Sequence, residues 1–209
     1  DISAAQWDQV VAAVRAGGLT PFLDMAYQGF GYGLAEDGVA VAKFVAAGLE
    51  VFVSTSFSKS FSLYGERVGA LSVVCASKDE AARVLSQLKI MIRTNYSNPP
   101  IHGASIVARV LHTPELRALW EQELAEMRTR IKAMRGKLVQ GLKDAGVEQD
   151  MGFITDQIGM FSYSGLSKEQ MVRLRSEFGV YGTDTGRMCV AALNSKNIDY
   201  VCQAIAKVI

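Results

Sequence analysis

A chain of 209 residues, 49% hydrophobic and 21% charged, can bury a substantial core as one large or two small domains. Its 22 basic and 21 acidic residues leave a net charge of +1 with no basic block or basic-aromatic stripe, which argues against a nucleic-acid partner. No apolar run approaches the roughly 18 to 20 residues a helix needs to cross a bilayer, which argues against a membrane-spanning role.

The opening residues Asp1 to Trp7 have neither a basic n-region nor an apolar h-region, so they do not read as a signal peptide. Ser3 is the expected N-cap of an amphipathic helix with Trp7, Val10, Val11 and Val14 on one face, stopping at Gly17-Gly18. A helix with no preceding strand to pack against reads as the middle of a longer chain. Leu19–Tyr27 reads as a buried strand running into the loop Gln28–Gly33. An acid near the end of such a strand, Asp24, is costly unless a cation faces it. The loop glycines do not form a dinucleotide fingerprint, because its third glycine position is Leu34.

Glu36–Ala47 is a predicted helix, with Val39, Ala42, Phe44 and Val45 as its apolar side, and Glu50–Thr55 is the next strand. Strand, helix and strand at this spacing predict a right-handed parallel crossover. That arrangement puts Asp24 and Lys59 on one carboxyl edge of a sheet, where open α/β folds bind ligands.

Arg67–Cys75 is a further predicted strand and Lys78–Arg93 a helix, broken at Asn95–Pro100 by consecutive prolines. A helix from about Ile101 to Leu111 follows. Thr113 and Pro114 are the N-cap and first residue of a long helix. Its stripe of Leu116, Leu119, Trp120, Leu124, Met127, Ile131, Met134, Leu138 and Leu142 is expected to be core, and its length suits a connection between two lobes. Beyond Gly146 come a strand over 159–163, a Ser167-capped helix to Phe178, a strand over Arg187–Leu193 and a last helix from about Lys196. The predicted organisation is 1–112, a connecting helix over 113–145, and a small α/β domain over 146–209.

Cys75, Cys189 and Cys202 have no C-x-x-C spacing and read as buried thiols of a reduced, cytoplasmic protein. His102 and His112 have no partner at ligand spacing, so no metal is expected.

Chemistry concentrates in Ser54–Gly69, where Lys59 stands among hydroxyl residues. A lysine becomes a nucleophile only after losing a proton, which desolvation or a nearby cation favours. The apolar surroundings and Arg67 offer both. Pyridoxal phosphate needs a lysine, a carboxylate for its ring nitrogen, and hydroxyls with an arginine for its phosphate. Lys59, Asp24, Ser56 and Arg67 meet those needs, and Tyr27 could donate to the ring oxygen. Each also has a plainer reading, as a loop lysine or a surface arginine. Ser56 to Lys59 fits S-x-x-K and Tyr96 to Asn98 fits Y-x-N, as in penicillin-recognising serine enzymes. Against that, no K-T-G occurs and Ser56 ends a strand instead of opening a helix.

The runs LDMAYQGF, SFSKSFSLYGERVG, NYSNPP, GMFSYSGL and GRMCVAAL together resemble the aspartate and aromatic amino-acid aminotransferase family, over essentially the whole chain. The resemblance implies the C-terminal part of a fold type I pyridoxal-phosphate-dependent transferase. This would be an α/β fold with a mostly parallel sheet in the large domain, joined by a long helix to a small α/β domain. It implies that Lys59 is the Schiff-base lysine and proton shuttle, with Asp24 on the pyridine nitrogen, Tyr27 on the ring oxygen, and Ser56 and Arg67 on the phosphate. Arg187 matches the arginine for the substrate α-carboxylate. Arg93 matches the one that reaches the distal carboxylate of dicarboxylic substrates across a homodimer with shared active sites. At the bland end, Arg187 is a strand-edge arginine and Arg93 a helix C-terminal cap.

The expected reaction is ping-pong transamination of aromatic amino acids, aspartate or both with 2-oxoglutarate. FSLYGERVG and GRMCVAAL look closer to bacterial aromatic aminotransferases, and an aspartate-specific enzyme is the alternative. Family chains are roughly twice this length, so the resemblance places the rest of the cofactor cage outside this sequence. On that reading the segment alone neither folds completely nor catalyses, and a non-catalytic dimerising or cofactor-sensing module is a further alternative.

Overall fold

In the computed structural model, which describes residues 1–209, helix α1 (Ala4–Ala16) starts at a reciprocal cap. The Gln6 N–H donates to Ser3 Oγ at 3.3 Å and the Ser3 N–H to Gln6 Oε1 at 2.8 Å. The chain forms two compact units, one of Ile2–Gly29 and Gly33–Leu124, the other of Asp1, Phe30–Tyr32 and Ala125–Ile209.

The first unit holds a three-stranded sheet of β1 (Phe22–Met25), β2 (Val51–Ser56) and β3 (Gly69–Val74) in that order. β1 and β2 are parallel, with Phe22 opposite Phe52 and Asp24 opposite Ser54. Their crossover is a 3-10 turn at Glu36–Gly38 followed by helix α2 (Val39–Ala46), where a single helix over Glu36–Ala47 is predicted. β3 returns antiparallel to β2, because no crossover helix intervenes over residues 57–68. The alternation of β2 turns Val51 and Val53 into a core with Val11 and Phe44, where Trp7 meets Phe44 edge-on at 6.5 Å.

The opposite face carries Phe22, Asp24, Phe52, Ser54 and Leu71 by register. β1 is therefore not the buried strand its apolar run predicts: Phe22 is 62% exposed and Asp24 is exposed. The core with α1 and α2 lies on the Val51 and Val53 face, so the alternate residues of the strands look away from it. Phe22, Phe52 and Leu71, with Val84, Leu88 and Met91 of helix α3 (Lys78–Asn95), line an apolar groove of about 780 Å³. Helix α4 (His102–His112) follows.

Helix α5 (Pro114–Asp144) runs through 31 residues and belongs to both units. Its predicted stripe divides: Leu124, Ile131, Met134, Leu138 and Leu142 are buried, whereas Leu116 and Leu119 are exposed. In the second unit β4 (Phe161–Tyr163) pairs antiparallel with β5 (Arg187–Cys189), and helices α6 (Lys168–Phe178) and α7 (Ile198–Val208) complete it. α6 repeats the reciprocal cap of α1 with Ser167 and Gln170, and ends at Gly179 in the left-handed region at φ 63°. The strand predicted to reach Leu193 stops at Cys189, where a 3-10 turn (Val190–Ala192) begins. Arg130 holds that turn, donating to the carbonyls of Ala191 at 2.7 Å and Leu193 at 2.9 Å.

All three cysteines are free thiols, but only Cys202 is buried; Cys75 is half-buried and Cys189 exposed. Cys189 faces outward because its neighbours Met188 and Val190 take the inward positions. Burial, with the nearby Asp199 and Asp144 carboxylates adding to it, pushes the Cys202 thiol up to about 11. That thiol lies 3.7 Å from the Leu138 carbonyl. No helix is long and apolar enough to cross a membrane, and no group of three or more His, Cys, Asp or Glu side chains could hold a metal.

Cys202 also explains a glycine inside α5. A Cβ at Gly141 would lie 2.6 Å from Cys202 Sγ, below any contact a real Cβ makes. Gly141→Ala gains about 1 kcal/mol of helix propensity but overpacks a buried contact at a cost of roughly 2 kcal/mol. The expected result is a net loss of about 1 kcal/mol in urea unfolding of the intact protein. In a Cys202→Ala background the same change becomes stabilising. Equal effects in the two backgrounds would show that the thiol is not what demands glycine here.

Candidate active site

β1 and β2 end side by side, and the residues just past their carboxyl ends come together in the first unit. Ser54 Oγ donates to Asp24 Oδ1 at 3.1 Å, across the register pair of the parallel strands. Lys59 follows β2 on a turn, half-buried, with its ammonium 4.9 Å from the centroid of the Tyr27 ring and 5.6 Å from that of Tyr64. These are cation–π distances, so two aromatic faces, not a carboxylate, surround the charge. The structure thus brings Asp24, Tyr27, Ser56 and Lys59 to one edge of one sheet.

The turn that carries Lys59 is fixed from below. Ser58 is buried, and its N–H donates to Ser56 Oγ at 3.2 Å. Phe57 meets Phe61 edge-on at 5.5 Å, and Phe61 stacks on Trp120 at 4.5 Å. Trp120 Nε1 donates to the Ser60 carbonyl at 2.7 Å. The lysine is therefore held between anchored neighbours on both sides. Ser56 ends a strand, as the argument against a serine acyl enzyme requires.

Arg67 sits at φ 52°, a left-handed conformation unusual for a residue with a side chain, and its Nη1 donates to the Tyr64 carbonyl at 2.8 Å. Its guanidinium is curled over its own turn on an exposed loop. Arg93 is exposed in the last turn of α3, and its Nη1 donates to Ser97 Oγ.

In the second unit Arg187 opens β5, exposed, with its guanidinium carbon 4.7 Å from the centroid of the Phe161 ring. It makes no ion pair. Its N–H donates to Thr183 Oγ1 at 3.1 Å, which fixes the start of the strand.

Three contributors escape the sequence pattern. Ser54 orients Asp24, Tyr64 faces Lys59, and Trp120 holds the lysine turn. The register of two parallel strands would have pointed to Ser54. Nothing local signals Trp120, which is 60 residues from the carbonyl it binds and reads as one member of a core stripe.

A carboxylate with an orienting hydroxyl, a lysine between aromatic rings and a second hydroxyl are groups that could hold a ligand with an anionic end and a protonated ring nitrogen. The comparisons with known proteins point to the same chemistry. A model of the family described as aminotransferase class I and II matches residues 1–205. An aspartate aminotransferase of Pseudomonas aeruginosa is 59% identical over 209 residues, covering 100% of this chain and 52% of that protein. An aromatic-amino-acid aminotransferase of Escherichia coli (strain K12) is 53% identical over 208 residues, with coverage of 100% and 52%. The crystal structure of an aromatic-amino-acid aminotransferase from Burkholderia pseudomallei, covalently bound to pyridoxal phosphate, matches with a TM-score of 0.97 and 66% identity, covering 100% of this chain and 52% of that one. The chain spans about half the length of these relatives.

Proposed function

The chain belongs to the class I and II aminotransferases, and from that premise we propose that the intact protein is a pyridoxal-phosphate-dependent transaminase. It exchanges amino groups between aromatic amino acids, aspartate or both and 2-oxoglutarate, in a ping-pong cycle centred on Lys59. One observation carries this reading: Lys59 and the Ser54-oriented Asp24 stand at adjacent strand ends of a single sheet.

The residues present suit the cofactor. Asp24 would hold a protonated pyridine nitrogen, its carboxylate already turned by the Ser54 hydroxyl. Tyr27 would donate to the ring oxygen, and Ser56 with Arg67 would bind the phosphate, for which a guanidinium offers a fixed fork of donors. Lys59 would hold pyridoxal phosphate, which when bound would supply an electron sink for bond breaking at the substrate α-carbon. Lys59 Nζ would carry the proton between that carbon and the cofactor, in one direction in the first half-reaction and in the other in the second. The rings of Tyr27 and Tyr64 shield Nζ from water on two sides.

Arg187 would receive the substrate α-carboxylate as a bidentate pair. Arg93 would serve the distal carboxylate of a dicarboxylic substrate in the partner subunit's site, making the working unit a homodimer. The relatives carry both aspartate and aromatic names, which supports a site that admits both classes.

The direct test is turnover of tyrosine, phenylalanine and aspartate against 2-oxoglutarate by the intact protein; no transfer from any of the three overturns the proposal. For Arg93, the Ala variant should lose about 100-fold in kcat/KM for aspartate, while tyrosine and phenylalanine change by less than about threefold. Equal losses for both classes would reject its role in reading the distal carboxylate.

A further inference from the structure

We propose that Phe161 is a positioning residue that presents the Arg187 guanidinium to substrate carboxylates; this rests on the reading of Arg187 given above. In the β4–β5 ladder Tyr163 lies opposite Arg187 and Phe161 opposite Cys189. Strand alternation therefore puts Phe161, Tyr163, Arg187 and Cys189 on one face, while Ser162 and Met188 are buried on the other. Arg187 sits diagonally across from Phe161, with its guanidinium carbon 4.7 Å from the ring centroid.

The type of partner matters. An acidic side chain would hold the guanidinium equally well, but it would occupy the donors a substrate carboxylate needs and compete with that carboxylate. A ring attracts the cation through its π face and uses no N–H, so the full fork of donors stays available. Arg187 makes no ion pair, as this requires.

The ring itself is on a fixed support. The Phe161 carbonyl accepts from Arg135 Nη2, and Arg135 is only 3% exposed. The same guanidinium binds the carbonyls of Gly159 at 2.8 Å and Ile154 at 3.2 Å. Further along β4, Gln157 clasps Tyr163 at both its N–H (2.6 Å) and its carbonyl (2.9 Å). The backbone on both sides of the ring is thus tied down, so a mobile, four-torsion arginine gains a preferred direction before substrate arrives.

The test uses Phe161→Leu, which keeps an apolar side chain of similar reach, and Phe161→Tyr, which keeps the ring, both in the intact protein. Arg187 Nε–Hε, observed by 15N–1H spectroscopy, should carry a ring-current shift in the parent and in Phe161→Tyr, and lose it in Phe161→Leu. KM for L-aspartate and L-tyrosine should rise about fivefold in Phe161→Leu with kcat within about twofold, and return in Phe161→Tyr. An unchanged Nε–Hε resonance in Phe161→Leu overturns the contact. An unchanged KM there, when Arg187→Lys does raise KM, overturns the positioning role. If Arg187→Lys itself leaves KM unmoved, the carboxylate reading of Arg187 is what fails, and the ring-current shift still reports the contact.

Discussion

Lys59→Ala is expected to abolish amino-group transfer in the intact protein, lowering kcat by about 10⁴-fold or more. On the proposed reading two functions vanish with one nitrogen: the attachment point for the cofactor aldehyde and the base that moves the α-proton. No neighbour can substitute. Tyrosine rings face Nζ on two sides, and the carboxylate on the same sheet edge, Asp24, is already engaged by Ser54. The fold should hardly notice the loss, since Lys59 forms no ion pair and its turn is held by Trp120, Phe61 and Ser58. Loss of the two cation–π contacts should cost no more than about 1–2 kcal/mol. The visible absorbance band of the cofactor attached to the parent protein should be missing from the variant. Full turnover, or the same band retained in Lys59→Ala, would falsify the assignment of Lys59.

What singles out Lys59 as a candidate in the sequence is local. An apolar strand, a hydroxyl-rich turn and an upstream acid one crossover away are patterns that short stretches specify, and the parallel register of β1 and β2 delivers them to one edge. The caps at Ser3 and Ser167 were legible for the same reason, because a serine and a glutamine three residues apart satisfy each other's backbone. Burial was legible only where periodicity met a partner. Leu124 and Leu138 find one, whereas Leu116 and Leu119 continue the same stripe into solvent. β5 is shorter than its apolar run predicts: Val190 to Leu193 is as apolar as a strand, yet Arg130, 61 and 63 residues from the carbonyls it binds, holds this stretch as a turn. The same limit hides Trp120 and the face of β1. These outcomes are set by contacts between distant segments, which composition and spacing do not encode.

Arg135 is the clearest case of that limit, and its loss should be the most damaging to stability. It lies one residue after Met134 in the α5 stripe, where charge patterning would place it on the solvated side, yet it is buried. Burial lowers the pKa of its guanidinium from the ordinary value, so holding the charge there has a real cost. Two effects compete when it is replaced by methionine. Relief of desolvation, of the order of several kcal/mol for a buried ion, favours the variant. Against this stand three hydrogen bonds from a charged donor, to the carbonyls of Ile154, Gly159 and Phe161, each worth roughly 1.5–3 kcal/mol. Methionine fills the volume but donates nothing, so these carbonyls lose their partner, and Ile154 is itself buried. The acceptors should win, with Arg135→Met losing about 3 kcal/mol and lowering the Tm of an intact protein of about twice this length by about 4 °C. Arg135→Lys should fall between the two, because one ammonium keeps the charge but cannot span three carbonyls with the geometry of a planar fork. Thermal and urea unfolding of the intact protein would decide it. A methionine variant as stable as the parent, or more so, would mean that desolvation outweighs the hydrogen bonds and that the chain carries this arginine for a reason other than stability.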